Sequence, residues 1–188
     1  MVKLTLKSFI KNAESISLSD SDILTSLNSR CNLLAYEDLE HYSEIESVLG
    51  EHGACVILYQ TSSATNGHWI CVFKHPTKQD TLIFWDSYGF PIDSELKLSK
   101  YNLRVHNGES VPHLTHLIEQ STYKVESNNF KYQSNRQNDN SCGRFVIVRL
   151  LFRDLDIKQF HHFLSNGYPE LSYEATVTLL TIAFSLQN

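Results

Sequence analysis

Three residues far apart in the chain have the types and local settings from which a thiol nucleophile can be assembled. Cys142 follows the polar run Ser134-Asn135-Arg136-Gln137-Asn138-Asp139-Asn140-Ser141 and opens the apolar run Gly143-Arg144-Phe145-Val146-Ile147-Val148-Arg149-Leu150-Leu151-Phe152. That pattern reads as a loop delivering the chain to a helix whose first residue is the cysteine. Unpaired N–H groups and the helix dipole at such a start favour negative charge, which is what a thiolate needs. Gly143 leaves room for a substrate carbonyl near the backbone, and N–H groups at this turn can donate to an oxyanion. His68 begins one strand-like run and Asp86 ends another. If those ends share one rim of a sheet, Asp86 can accept the second imidazole N–H and fix the tautomer that deprotonates Cys142. Taken singly, the three read as a buried structural cysteine, a surface histidine and a turn-opening aspartate; only the set argues for chemistry.

The elements that must position them are legible in outline. Ala54 to Tyr59, His68 to Lys74 and Thr81 to Asp86 are short β-branched and aromatic runs separated by polar turns, the mark of adjacent strands. Their nearly continuous apolar character predicts a sheet covered by helices on both faces. Leu18-Ser19-Asp20-Ser21-Asp22 predicts an N-cap and a short helix, and a second helix through Ile45, Val48 and Leu49 is closed by Gly50. Val111 to Gln120 predicts a helix, Tyr123 to Val125 and Phe130 to Gln133 short extended pieces, and the segments around Ile157 to Leu164 and Tyr173 to Leu186 two more helices. The expectation is an α+β fold, a central mixed β-sheet flanked by helices. It forms one domain over 1–188: a helical lead-in over 1–53, the sheet with His68 and Asp86 over 54–133, and the nucleophile loop, nucleophile helix and C-terminal helices over 134–188.

Composition narrows the function classes. The 188 residues, 41% of them hydrophobic, suffice for one substantial core. A formal charge of -5 supplies no overall field toward nucleic acid or anionic membrane. No apolar run approaches the roughly 20 residues of a membrane span. Cys31, Cys55 and Cys71 lack metal or redox spacing and read as buried small hydrophobes; with no apolar signal core at the N-terminus, they predict a reducing intracellular compartment. His113-x-x-His116 and His161-His162 have no Cys or carboxylate companions at metal-site spacing, so neither a metal nor a cofactor is expected. Lys3, Lys7 and Lys11 would form a basic stripe if their segment is helical, best read as a solvated face.

Gly67-His68-Trp69, then Phe84-Trp85-Asp86-Ser87-Tyr88-Gly89, then a Gln-containing polar loop ending in Ser141-Cys142-Gly143-Arg144, resemble as an ordered set the adenovirus-type and ubiquitin-like-protein-specific cysteine peptidases. The upstream Asn32-Leu33-Leu34-Ala35-Tyr36-Glu37-Asp38-Leu39 resembles the lead-in of large-DNA-virus and virophage members. The resemblance implies a papain-like-clan peptidase with circularly permuted His…Asp…Cys order, in which Cys142 attacks the scissile carbonyl, His68 relays the proton, Asp86 orients His68 and a glutamine donates to the oxyanion. Neither Gln133 nor Gln137 stands at the family's usual spacing from the cysteine. Gln133 is preferred because it ends an apolar run, whereas Gln137 lies within the polar loop. Trp69 is expected to shield the site and, with Gly143, to border a narrow passage that admits glycine. The implied activity is endopeptidase cleavage after glycine through a thioester, acting on viral capsid or core precursor polypeptides in a virion, host cytoplasm or viral factory. The implied partners include a peptide or DNA activator, and no membrane. The alternatives are a deubiquitinase or deSUMOylase acting on a ubiquitin-like protein, and a catalytically silent virion structural or binding protein.

Overall fold

The structure, a computed structural model, describes residues 5–63, 66–97, 101–134 and 139–186, and at 61–63 and 66 the backbone alone. Five strands form one sheet in sequence order: β1 (Asn32–Ala35), β2 (Ala54–Ser63), β3 (Asn66–Lys74), β4 (Thr81–Trp85) and β5 (Lys124–Ser127). β2, β3 and β4 are antiparallel neighbours, while the edge strands β1 and β5 pair in parallel, so the sheet is mixed. The helices are α1 (Leu6–Glu14), α2 (Asp20–Ser26), α3 (Ile45–Leu49), α4 (Tyr101–His106), α5 (His113–Glu119), α6 (Cys142–Leu151), α7 (Ile157–Gly167) and α8 (Tyr173–Ser185), with 3₁₀ helices at Tyr36–His41 and Ser94–Lys97.

Side-chain alternation along the central strands divides the core in two. Val56, Leu58, Trp69, Cys71, Phe73, Ile83 and Trp85 share one buried cluster with Phe145 to Val148 of α6, Phe160 of α7 and Val177 of α8. Cys55, Ile57, Tyr59, Ile70, Val72, Leu82 and Phe84 meet Tyr36 and Leu39, Val48 and Leu49 of α3, and Leu114 and Leu117 of α5. Both sheet faces are therefore covered, and α6 lies against β3 with Cys142 at its first position.

Local chemistry accounts for the boundaries. Ser19 caps α2 through a reciprocal box with Asp22, and Gly50 ends α3 at φ +61°, a conformation costly for other residues. Within 1–53 the lead-in is not wholly helical: Asn32 to Ala35 pair with Cys55 to Leu58. A parallel edge strand of four residues has little alternation of its own, and its partner lies beyond the intervening helices. Phe130 to Gln133 is not a strand either. The backbone N–H groups of Tyr132 and Gln133 both donate to the Ser87 carbonyl, at 2.8 and 2.9 Å, pinning this irregular segment to the turn after β4. Lys7 and Lys11 are exposed on α1, whereas Lys3 lies outside the described residues.

Candidate active site

The approach to Cys142 is held from two sides. Asp139 Oδ1 accepts from the backbone N–H and hydroxyl of Ser141, at 3.1 and 2.5 Å. The Asn140 N–H donates to the Glu14 carbonyl at 3.1 Å, its side-chain amide donates to the Ser15 carbonyl at 2.8 Å, and Arg144 donates to the Ile16 carbonyl at 2.8 Å. The end of α1 thus fixes the turn that presents the thiol. Ser141 places no side-chain cap on α6, which leaves N–H groups at this start unspent on a capping side chain. A Cβ added at Gly143 would stand 3.1 Å from Leu18 Cβ and 3.5 Å from Trp69 Cδ1, so Leu18 and Trp69 close in on the turn as walls.

His68 sits on β3 opposite Tyr59, one residue after Gly67. A Cβ at Gly67 would lie 2.0 Å from the Tyr59 carbonyl oxygen, so only glycine permits this close approach of β2. The imidazole is buried rather than lying on an open rim, and it stacks on Tyr88 with ring centres 4.6 Å apart. Its Nε2 is 2.9 Å from Asp86 Oδ1, and Cys142 lies close enough to act on both His68 and the Tyr88 stacked against it. Cys142, His68 and Asp86 are thereby brought together.

Asp86, fully buried just past β4, is itself fixed. The Tyr88 N–H donates to Oδ1 at 2.7 Å; Asn128 accepts from the Asp86 N–H at 3.0 Å and donates to its carbonyl at 2.7 Å. Gly89 completes the turn at φ +71°, where a Cβ would come within 2.8 Å of the Phe130 carbonyl. Gln133 is buried nearby, and its Oε1 accepts from the Ser87 hydroxyl at 2.7 Å, which fixes the orientation of the amide and leaves its NH₂ end as the donor. The rigidity expected of Gln133 exists, but it comes from Ser87 rather than from a strand. Gln137 lies outside the described residues.

A second carboxylate escaped the sequence reading. Glu95 Oε1 lies 3.4 Å from His68 Nε2, and ligand atoms of His68, Asp86 and Glu95 lie within 4.8 Å of one another. Among the described residues this is the group whose donors and spacing could hold a metal ion, although Nε2 would have to leave Asp86 to ligate one. Burial works to lower the His68 pKa. The charge of Glu95, the hydrogen bonds to Asp86 and Cys142, and the charge of Asp86 outweigh it, holding His68 well above its usual value. Burial raises Glu95 to about 7, opposed by the charge of His68 and aided by Asp86 and Glu109. Ser87 and Tyr88 lay inside the motif that drew attention to Asp86, whereas Glu95 and Asn128 stand in segments without periodicity.

No family model matches the chain. It is 33% identical over 175 residues to the uncharacterized protein V9 of Sputnik virophage, an alignment that spans 92% of this chain and 98% of that protein.

Proposed function

We propose that this chain, which belongs to the family of the Sputnik virophage protein V9, is a cysteine endopeptidase of the papain-like clan with permuted His…Asp…Cys order. The observation that carries the reading is a thiol at a helix start close to a buried imidazole whose Nε2 is held by a fixed carboxylate. With Nε2 committed to Asp86, Nδ1 is the ring atom that takes the thiol proton. The Cys142 sulfur then attacks the scissile carbonyl, Gln133 Nε2 and the N–H groups at the α6 start donate to the oxyanion, and His68 returns the proton to the leaving amine. Water activated by His68 hydrolyses the thioester.

The walls formed by Leu18 and Trp69 beside Gly143 suit a small residue at the cleaved carbonyl, in keeping with cleavage after glycine. A virophage relative favours a maturation peptidase acting on viral capsid or core precursors in a viral factory, host cytoplasm or virion. A peptide activator fits the charge of -5 better than DNA does. The second reading is removal of a ubiquitin-like protein, which uses the same chemistry on a different partner. Incubation of the chain with viral structural precursors and, separately, with ubiquitin-like propargylamide probes tests both. Cleavage after glycine that disappears in Cys142→Ala supports maturation, while probe labelling of Cys142 without precursor cleavage supports deconjugation. Undiminished cleavage by Cys142→Ala, or no reaction of either kind, sinks the peptidase reading and favours a silent virion protein.

A further inference from the structure

The geometry points to Glu95 as a positioning residue of this site: a second buried carboxylate, mounted on its own anchored turn, that faces His68 Nε2 beside Asp86 and holds the imidazolium for Cys142. This rests on reading Cys142 and His68 as nucleophile and base. Nε2 carries one proton, and Asp86 Oδ1 at 2.9 Å takes it. Glu95 Oε1, at 3.4 Å from the same nitrogen, acts mainly through its charge, and both partners are buried where charge is weakly screened.

The fold builds a mount for this carboxylate. Glu95 rides on the 3₁₀ helix Ser94–Lys97, directly after Asp93, whose backbone is left-handed at φ +57°. Such a conformation is uncommon for a residue with a side chain and persists where surroundings enforce it. Here Tyr36 and Tyr59 both donate their hydroxyls to Asp93 Oδ1 at 2.8 Å, and the Thr115 N–H donates to Oδ2 at 2.8 Å. Residues from the first 3₁₀ helix, β2 and α5 therefore anchor the turn that aims Glu95 at His68.

Among the described residues, the groups that interact electrostatically with Glu95 are His68 of β3, Tyr59 of β2, Asp86 and Tyr88 after β4, and Glu109 after α4. Its ion-pair partner is His68. Below about 7 Glu95 holds its own proton and Asp86 alone faces the imidazolium; above that value a second negative charge is added. The protons then belong to the set rather than to one residue.

Alkylation of Cys142 by iodoacetate reads this directly, because the anionic reagent reacts fastest when a thiolate and an imidazolium coexist. The buried Cys31, Cys55 and Cys71 are separated by peptide mass spectrometry. In the wild type the rate should rise and then fall with pH. Glu95→Gln should move the alkaline limb down by about one pH unit and leave the acid limb in place. Glu95→Asp, which draws the charge back from Nε2, should move it part of the way. In Cys142→Ala, the NMR titration midpoint of His68 should likewise fall on adding Glu95→Gln. Superimposable alkylation profiles with an unchanged His68 midpoint would overturn the role of Glu95 while leaving the peptidase reading intact. A wild-type profile unaltered by His68→Ala would remove the Cys-His pair itself, and Glu95 with it.

Discussion

In the proposed reaction Cys142 and His68 contribute the reactive atoms and Asp86 selects the ring nitrogen that serves the thiol, while the Tyr88 N–H and Asn128 determine where Asp86 stands. Asp86→Ala removes the acceptor from Nε2, so kcat/KM should drop by roughly 10²–10⁴-fold. Asp86→Asn should lose less, since an amide oxygen can still accept from Nε2, and steady-state kinetics of the two variants should rank them in that order. Gln133→Ala should lower kcat by about 10²–10³-fold with little change in KM, because in the proposed reaction its amide acts on the developing oxyanion rather than on bound substrate. An equal rise in KM instead would assign Gln133 to substrate binding. At this scale the sequence was informative, since Asp86 and Cys142 stand at recognisable element ends and His68 lies two residues inside another. Glu95 and Asn128 were invisible because a carboxylate or amide in an aperiodic stretch acquires meaning only when folding buries it beside a partner.

The elements act by closeness and by anchoring. β2 and β3 meet tightly at Gly67 because there is no Cβ to press on the Tyr59 carbonyl 2.0 Å away. Gly67→Ala should push the strands apart next to His68, lowering kcat/KM by at least about tenfold, with faster amide exchange over β2 and β3. At the other side, Arg144 and Asn140 tie the cysteine turn to the end of α1. Arg144→Leu should loosen that turn by the loss of a charge-assisted hydrogen bond, about 1.5–3 kcal/mol, visible as faster exchange near Ser141. Strong runs such as those of β2 to β4 and α6 declare themselves by composition. β1 did not, because a four-residue parallel edge strand is specified by its partner β2 more than by its own pattern.

Over the whole molecule, a sheet buried on both faces supplies the rigid floor, and α6 brings the cysteine to it. Arg149 of α6 is fully buried between Phe73 and Phe160, its carbon 4.7 and 4.6 Å from the ring centres, and donates to the carbonyls of Phe152 and Leu155. Burial lowers its pKa to about 10, yet it remains a cation at neutral pH that ties the end of α6 to the segment leading into α7. Glu109 is raised to about 7 by burial, against the Gln60 N–H that it accepts and with help from Glu37. A carboxylate raised on folding favours the native state below its ordinary range, and that contribution is lost as pH climbs toward about 7. Glu109→Gln should therefore flatten the decline of Tm over that interval, as calorimetry at several pH values would show. In the proposed reaction one of four cysteines, paired with His68, forms the acyl-enzyme. Intact-mass and peptide mapping after reaction with a glycine-terminated peptidyl vinyl sulfone test it most directly: a single adduct on Cys142, abolished by His68→Ala, is the predicted result. Adducts that spread over Cys31, Cys55 and Cys71, or that form on Cys142 just as fast without His68, would contradict it.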